Sequence, residues 1–482
     1  MSGDFTMTAD QIRSLQPTLA ALLAYFRPCF KRTASFGHWE RYIVGLITDL
    51  KRKSVEPIAL AAGVAVRTLQ EFLAYFAWDH KRVDTMLRQL VMDRHGWEQA
   101  IGVIDASAHT KQGRKTPGVK RQWCGERGKK ENCVVGQHLL YTDNDLHNLF
   151  TCVVASDLFL PQDWANDRER CKAAGIPDDV VYRPKWQIAV DQVEEVVGDG
   201  VRFSWLTFDE EYGSVPAFWF GLDRLGQRGI GEVRANSRCW PTRPHCRSSQ
   251  AAHASKRVDN VCRRSGVFTK KKWRAVTIKD TTRGPMVWEI KTARVHLVDA
   301  SGPVSQPTDR KYWLILARNP ATGEIKYFVS NASATASLQE LLEVAFARWH
   351  VEKWFERAKQ EAGFGAFEVR TYTSLIRHWL SSRLAMYFLA AETQRLRGGK
   401  IQRSRSSRWL MPRTPWPPCC GSSPATRRPT SPHAVVTIRT AMKRHTEADA
   451  SEEDGQGESS AAILKMIVEP VAERASARRW LN

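Results

Sequence analysis

Between residues 100 and 240 the apolar pattern changes period, and this change limits what the chain can fold into. IGVIDAS (101–107), NCVVGQHLLYT (132–142) and LFTCVVASDLFL (149–160) are short apolar runs rich in β-branched residues, the pattern of strands. Asp143-Asn-Asp-Leu-His separates the last two, so the three predict an antiparallel meander. KWQIAVDQVEEVVGDG (185–200) has a helical period and ends at glycine, and VRFSWLTFDEEYG (201–213) is a strand that runs into three acids. VPAFWFGLDRLGQRG (215–229) is a second helix and IGEVRANSRCW (230–240) a further strand. Strand–strand–strand–helix–strand–helix–strand predicts an α/β architecture.

Residues 8–95 read as helices, including FGHWERYIVGLITDL (36–50). In SVEPIALAAGVAVRTLQEFLAYFAWDH (54–80), Ser54 is a candidate N-cap, Pro57 sits in the first turn and Gly63 interrupts the period. Helix, glycine turn, helix is the outline of a helix-turn-helix, with Arg67, Thr68 and Gln70 at the start of a candidate recognition helix; helical hairpins of ordinary bundles share it. Residues 241–310 are polar and irregular, then form a small β-insert around TTRGP; YWLILARNP (312–320) and EIKYFVSNA (324–332) predict a hairpin. The expected organisation is a helical DNA-binding domain (1–97), a core in two parts (98–240 and 311–397), a β-rich insertion (241–310), and a tail (398–482) that is disordered or read out of frame. In that tail an Arg/Ser/Pro/Trp/Cys mixture replaces the apolar period, which suggests a frameshift near 398–400.

The 482 residues carry a formal charge of +21, spread through folded-looking segments, so the expected partner is a polyanion, nucleic acid before membrane. Ten cysteines include no CxxC pair, which fits reduced thiols and neither a disulfide framework nor a zinc site. With a polar N-terminus and no long apolar run, a cytoplasmic, nucleoid-associated protein is expected.

Three acids stand where chemistry would use them: Asp105 inside the first strand, Asp209 at the end of the fourth, and Glu352 on a late helix. Each alone has a plain alternative: a satisfied core acid, a helix cap, a surface ion pair. Together, in this order, they match an RNase H-like core, in which carboxylates on rigid supports hold two divalent cations, Mg²⁺ or Mn²⁺, for phosphodiester chemistry. The late helix reads LLEVAFARWHVEKWFERAKQEA, and Arg348, Glu352 and Lys359 fall within roughly 40° on its wheel. His350 falls on the wettable side, and Val344, Val351, Phe355, Ala358 and Ala362 on the buried one.

This helix resembles the Tyr-Arg-Glu-Lys signature of bacterial insertion-sequence DDE transposases. In that signature two residues separate Tyr from Arg, three Arg from Glu, and six Glu from Lys. Arg348, Glu352 and Lys359 stand in register; Ala345 replaces the tyrosine. RKSVEPIA (52–59), WDH (78–80), VIDAS (103–107), QWCG (122–125) with Lys129 and Asn132, and DEEYG (209–213) are similar to stretches of the DDE superfamily endonuclease transposases. The resemblance covers roughly residues 36–397. It implies metal ligation by Asp105, Asp209 and Glu352, strand or phosphate contacts by Arg348 and Lys359, and a β-rich insert between the second and third acids. The chemistry implied is cleavage at element ends and strand transfer into target DNA, with a homodimer expected because two ends are cut together. From the residues themselves, the 111–130 loop with Lys129 is either a DNA-backbone track or a solvated basic loop, and Trp273 and Trp288 are either base-stacking platforms or β-core. The alternative function is a catalytically impaired remnant that only occupies element ends.

Overall fold

The computed structural model describes residues 9–145, 148–244, 254–281, 284–302 and 304–397. The expected disordered or out-of-frame tail lies outside the described residues. Five helices come first: α1 (Ala9–Tyr25), α2 (Thr33–Ile47), α3 (Val55–Ala61), α4 (Val66–Ala74) and α5 (His80–His95). Gly63 makes the turn between α3 and α4 at φ 63°, a left-handed conformation that glycine adopts without a Cβ penalty. Ser54 stands at the N-cap of α3, but its side chain makes no cap hydrogen bond.

The sheet begins with β1 (Ile101–Thr110), β2 (Lys120–Cys124), β3 (Lys129–Thr142), β4 (Thr151–Leu158), β5 (Trp205–Phe208) and β6 (Gly229–Glu232). β3 pairs antiparallel with β1 on one edge and with β2 and then β4 on the other. β1 and β5, and β5 and β6, are parallel. Past β6 the strands Ile325–Ser330, Tyr312–Arg318 and Gly284–Asp299 continue the sheet antiparallel, to thirteen strands among the described residues. The expected β-insert therefore extends the same sheet, because strand Tyr312–Arg318 offers it an open edge. The insert also contains two short helices, Val258–Arg264 and Gly266–Thr269, which its polar sequence did not announce. The basic 111–130 stretch is not one loop: β2 and a 3₁₀ turn at Gly125–Arg127 make it the first arm of a hairpin with β3.

Helix Lys185–Gly198 packs against β3 and β4, and the long helix Tyr372–Leu396 packs against β4 and the N-terminal helices. Every residue of β3 from Cys133 to Thr142 is buried. A β-strand covered on both faces reads as a continuous apolar run, which NCVVGQHLLYT nearly is. One hydrophobic core runs from Leu15 in α1 to Leu396 without a break. Charge ties the same parts together. Asp84 on α5 accepts from Arg88 Nη2 at 3.1 Å and from Arg383 Nη2 at 2.7 Å. Arg88 and Arg383 also donate to the carbonyls of Val154 and Val153 on β4.

Candidate active site

Ile104 is paired with Phe208 in the parallel β1–β5 ladder, so Asp105 and Asp209 are the next residues on neighbouring strands. Asp105, midway along β1 and still paired with β3, and Asp209, just past the end of β5, therefore stand side by side where the β1–β5 ladder stops. Asp209 ends its strand by capping the short helix Glu210–Gly213, its Oδ1 accepting from the Glu211 N–H at 2.9 Å. Asp105 Oδ1 accepts from the Ala106 N–H at 2.7 Å. Burial and then the nearby Asp209 carboxylate push Asp105 up to about 7, against the pull of Arg348. Burial and then Glu211 and Glu210 push Asp209 up to about 6, with Arg348 again opposing.

Glu352 comes from the helix Trp349–Glu361, whose axis begins after a break. The single late helix expected from the sequence is two, Leu338–Phe346 and Trp349–Glu361. The chain between them tightens: the Ala347 N–H reaches Val344 O, the His350 N–H reaches Ala347 O, and the Val351 N–H reaches Arg348 O, all three residues back. One consequence corrects the helical wheel. His350, placed on the wettable side, is 2% exposed and its Nε2 meets Asn144 Oδ1 at 2.9 Å, with burial pushing its pKa down to about 3. Val344, Val351, Phe355, Ala358 and Ala362 are buried as the wheel predicts.

Arg348, at the start of the second helix, joins the acids. Its Nη2 is 2.7 Å from Glu352 Oε1 and its Nη1 is 3.6 Å from Asp105 Oδ2. The side chain of Asp105 keeps 17% exposure and that of Glu352 57%, so one acid is in the wall and the other at the rim. Among the described residues, no three His, Cys, Asp or Glu side chains stand close enough together to hold a metal ion. Arg348 neutralises the acids in this arrangement. The donor set nevertheless suits a hard cation: carboxylate oxygens, two of them destabilised as anions by burial and by acidic neighbours.

Behind the acids lies a polar network that the sequence did not reveal. The buried Tyr212 hydroxyl donates to Gln137 Oε1, and Gln137 Nε2 points to the Asp105 carbonyl at 3.4 Å. Gln192 Nε2 bonds Gln137 O at 2.9 Å and Asp157 Oδ2 at 2.8 Å. Tyr212 follows Asp209 in DEEYG, so one hydroxyl ties the Asp209 turn to the strand beside Asp105. Tyr212→Phe is expected to lower stability by about 1–3 kcal/mol, because Gln137 Oε1 stays buried without its donor. Urea denaturation of the variant measures it.

The expected DNA-contacting residues divide. Lys359 and Lys129 both line one open groove, whose lining includes none of the three acids, while Arg67, Thr68 and Gln70 lie outside it. Lys359 Nζ is 3.1 Å from Glu126 Oε2 at the hairpin turn, so it ties the Glu352 helix to the hairpin. Lys129 pairs with Glu131 at 3.0 Å, and Arg67, 81% exposed, pairs with Glu71 at 2.6 Å. Trp288 is 3% exposed against Phe346, which makes it β-core. Trp273 carries Lys291 and Arg318 over its ring at 5.0 and 4.3 Å.

Residues 25–285, more than half of the chain, match the family described as DDE superfamily endonuclease. The chain belongs to that family, whose members generally use divalent metals. It is similar to the probable transposase for insertion sequence element IS701 of Microchaete diplosiphon, 29% identical over 231 residues. That alignment spans 47% of this chain and 57% of the relative's length. A piggyBac transposase solved as a synaptic complex with hairpin DNA aligns over 97% of this chain and 83% of its own, at 10% identity and a TM-score of 0.39, too low to argue from. Asp105 and Asp209 lie within the family match; Glu352 lies beyond it. Among the described residues no helix is long and apolar enough to cross a membrane.

Proposed function

We propose that this chain is the transposase of a bacterial insertion sequence, with Asp105, Asp209 and Glu352 as its catalytic acids. The observation that carries the reading is the β1–β5 register, which sets Asp105 beside Asp209 where the ladder between these two strands ends, with Arg348 bridging Asp105 to Glu352. The strand order β4-β3-β1-β5-β6, antiparallel then parallel, supports an RNase H-like core with an all-helical N-terminal domain docked on it. Residues 241–310 are then the insertion between the second and third acids.

Two divalent cations bound to these carboxylates, Mg²⁺ or Mn²⁺, would lower the barrier by activating the attacking oxygen and stabilising the leaving one. The chain's own groups do the rest. Asp105 and Asp209 must be ionised to bind cations, and the middle of β1 and the end of β5 give their carboxylates rigid supports. Arg348 holds the carboxylates together before DNA arrives, then presents its guanidinium to a phosphate. In the first reaction water attacks a phosphorus at an element end, forming a new P–O bond and losing a proton; the P–O3′ bond breaks with its electron pair on the 3′-oxygen, which takes up a proton as the 3′-hydroxyl. In the second the freed 3′-hydroxyl attacks a phosphorus of target DNA, and a target 3′-oxygen leaves. Both are in-line displacements, so one acid set serves both, and two ends processed together call for a homodimer.

Arg348→Gln is expected to move the acid limb of the cleavage–pH profile to higher pH. The guanidinium lowers the pKa of Asp105 and Asp209, so without it both carboxyls hold their protons to higher pH. Rates between pH 5.5 and 9 measure the shift; an unmoved limb contradicts this role for Arg348. The reading as a whole is tested by nicking of a labelled duplex that carries the DNA flanking the gene, with Mg²⁺ or Mn²⁺. Binding without nicking under both metals would favour the impaired remnant.

A further inference from the structure

The open groove that Lys359 and Lys129 line has a volume of about 1280 Å³ and a lopsided lining: ten Lys and Arg side chains against two carboxylates, Glu131 and Glu368. Its walls come from three parts of the chain far apart in sequence: the α2–α3 connection, the β1–β3 segment, and residues 359–370 after the Glu352 helix. Five of the ten cations are engaged within the protein. Arg52 pairs with Glu368 at 3.2 Å, and Lys129 and Lys359 have the partners given above. Lys53 Nζ donates to Leu46 O and Glu361 O, and Lys111 Nζ donates to Gly365 O and Phe367 O, stitching the walls together. The other five, Lys51, Arg114, Lys115, Arg127 and Arg370, are exposed side chains on all three walls that make no ion pair or side-chain hydrogen bond among the described residues. A wall built rigidly with backbone-bonded lysines, then lined with uncommitted cations, is suited to a repeating anion.

Its position relative to the acids follows from two rigid elements that run from one to the other. β1 leads from Asp105 to Thr110 and on to Lys111, about 20 Å at a strand's rise per residue. The Glu352 helix leads from Glu352 to Lys359, about 10 Å at 1.5 Å per residue. DNA advances 3.4 Å per base pair along a strand, so these lengths correspond to about three to six base pairs.

We propose that this groove holds the sugar-phosphate backbone of duplex DNA about three to six base pairs from the bond on which the acids act. The inference rests on the acid site being catalytic, and it names the surface that sets the cleavage register. The free cations neutralise phosphates, while the tethered lysines hold the groove's shape.

The test compares the wild type with a variant carrying Lys51→Gln, Arg114→Gln, Lys115→Gln and Arg127→Gln. A control removes four exposed cations outside the groove, Lys172, Arg224, Arg264 and Lys270, each to Gln. Binding to a 30-base-pair duplex of arbitrary sequence is measured over a KCl series. The groove variant should lose about two to four from the slope of log K against log salt, at about 0.9 for each phosphate no longer neutralised. The control should lose less than one. Equal slopes for groove variant and control would overturn the proposal. Ethylation interference on the duplex carrying the gene's flanking DNA reads the register: sensitive phosphates should lie three to six positions from the nick and lose their effect in the groove variant. Sensitivity confined to phosphates further away would also overturn it. The two readings fail separately. An unchanged slope with wild-type nicking intact removes the groove and leaves the acids. A reduced slope with a wild type that never nicks leaves the groove and removes the acids.

Discussion

Asp105→Asn and Asp209→Asn are each expected to lower strand cleavage by about 10³-fold or more while leaving DNA binding intact. A bound cation contributes several kcal/mol of transition-state stabilisation, and each 1.36 kcal/mol is a factor of ten in rate. Asn keeps the size of Asp but removes the anionic oxygen that a hard cation requires. Binding should survive because each change removes a negative charge from a chain of net charge +21. The same substitution should stabilise the metal-free fold at pH 8. The folded-state pKa of Asp105 is raised to about 7 from an ordinary 3.8, so the protonated form suits the fold and ionisation destabilises it. That penalty is absent below about pH 4 and grows as pH rises through about 7. Thermal unfolding in EDTA should therefore show Asp105→Asn above the wild type at pH 8 and level with it near pH 4. A variant that loses cleavage yet gains stability is the behaviour of a functional acid; a core acid kept for structure would lose stability instead.

Asp84→Ala is expected to destabilise the protein by about 3–5 kcal/mol, a large part of what a folded chain has to lose. Arg383, 2% exposed, has Asp84 as its one ion-pair partner among the described residues. Removing the carboxylate leaves a guanidinium charged and buried beside β4. Arg88 suffers less, because Glu195 and Asp199 still stand 2.7 Å from its Nη1. Arg383→Met should cost less than Asp84→Ala, since an apolar chain of similar length fills the space without stranding a charge. The double variant Asp84→Ala/Arg383→Met should recover part of the loss, and the double-mutant cycle reads the coupling. Urea unfolding followed by tryptophan fluorescence gives all four values.

The central sheet and two of the acids were legible because their local signals are strong. β1, β3 and β4 are apolar runs separated by polar segments, and DEEYG is a strand end that caps its own helix. Glu352 was legible from helical spacing, although the break at Ala347–Arg348 was not, since FARWHVE contains no residue that interrupts a helix by itself. The β2 hairpin was hidden because KRQWC alternates half-buried and exposed positions around a single buried cysteine. What sequence alone withholds is long-range pairing. Asp84 and Arg383 are 299 residues apart, Lys111 and Phe367 256, and Tyr212 and Gln137 75. No local pattern marks such partners. Lys359 shows the same limit: its helical spacing from Arg348 and Glu352 could be read locally, but its ion pair with Glu126 on a distant hairpin could not.

Glu352 is the acid that distinguishes a complete site from two adjacent aspartates, and it lies beyond the span of the family match. The most direct measurement is the rate of nicking of a labelled duplex bearing the gene's flanking DNA, by the wild type and by Glu352→Gln, with Mg²⁺. The wild type should nick near the element boundary, and Glu352→Gln should bind the same duplex with no detectable nick. Full Mg²⁺-dependent nicking by Glu352→Gln would contradict the assignment.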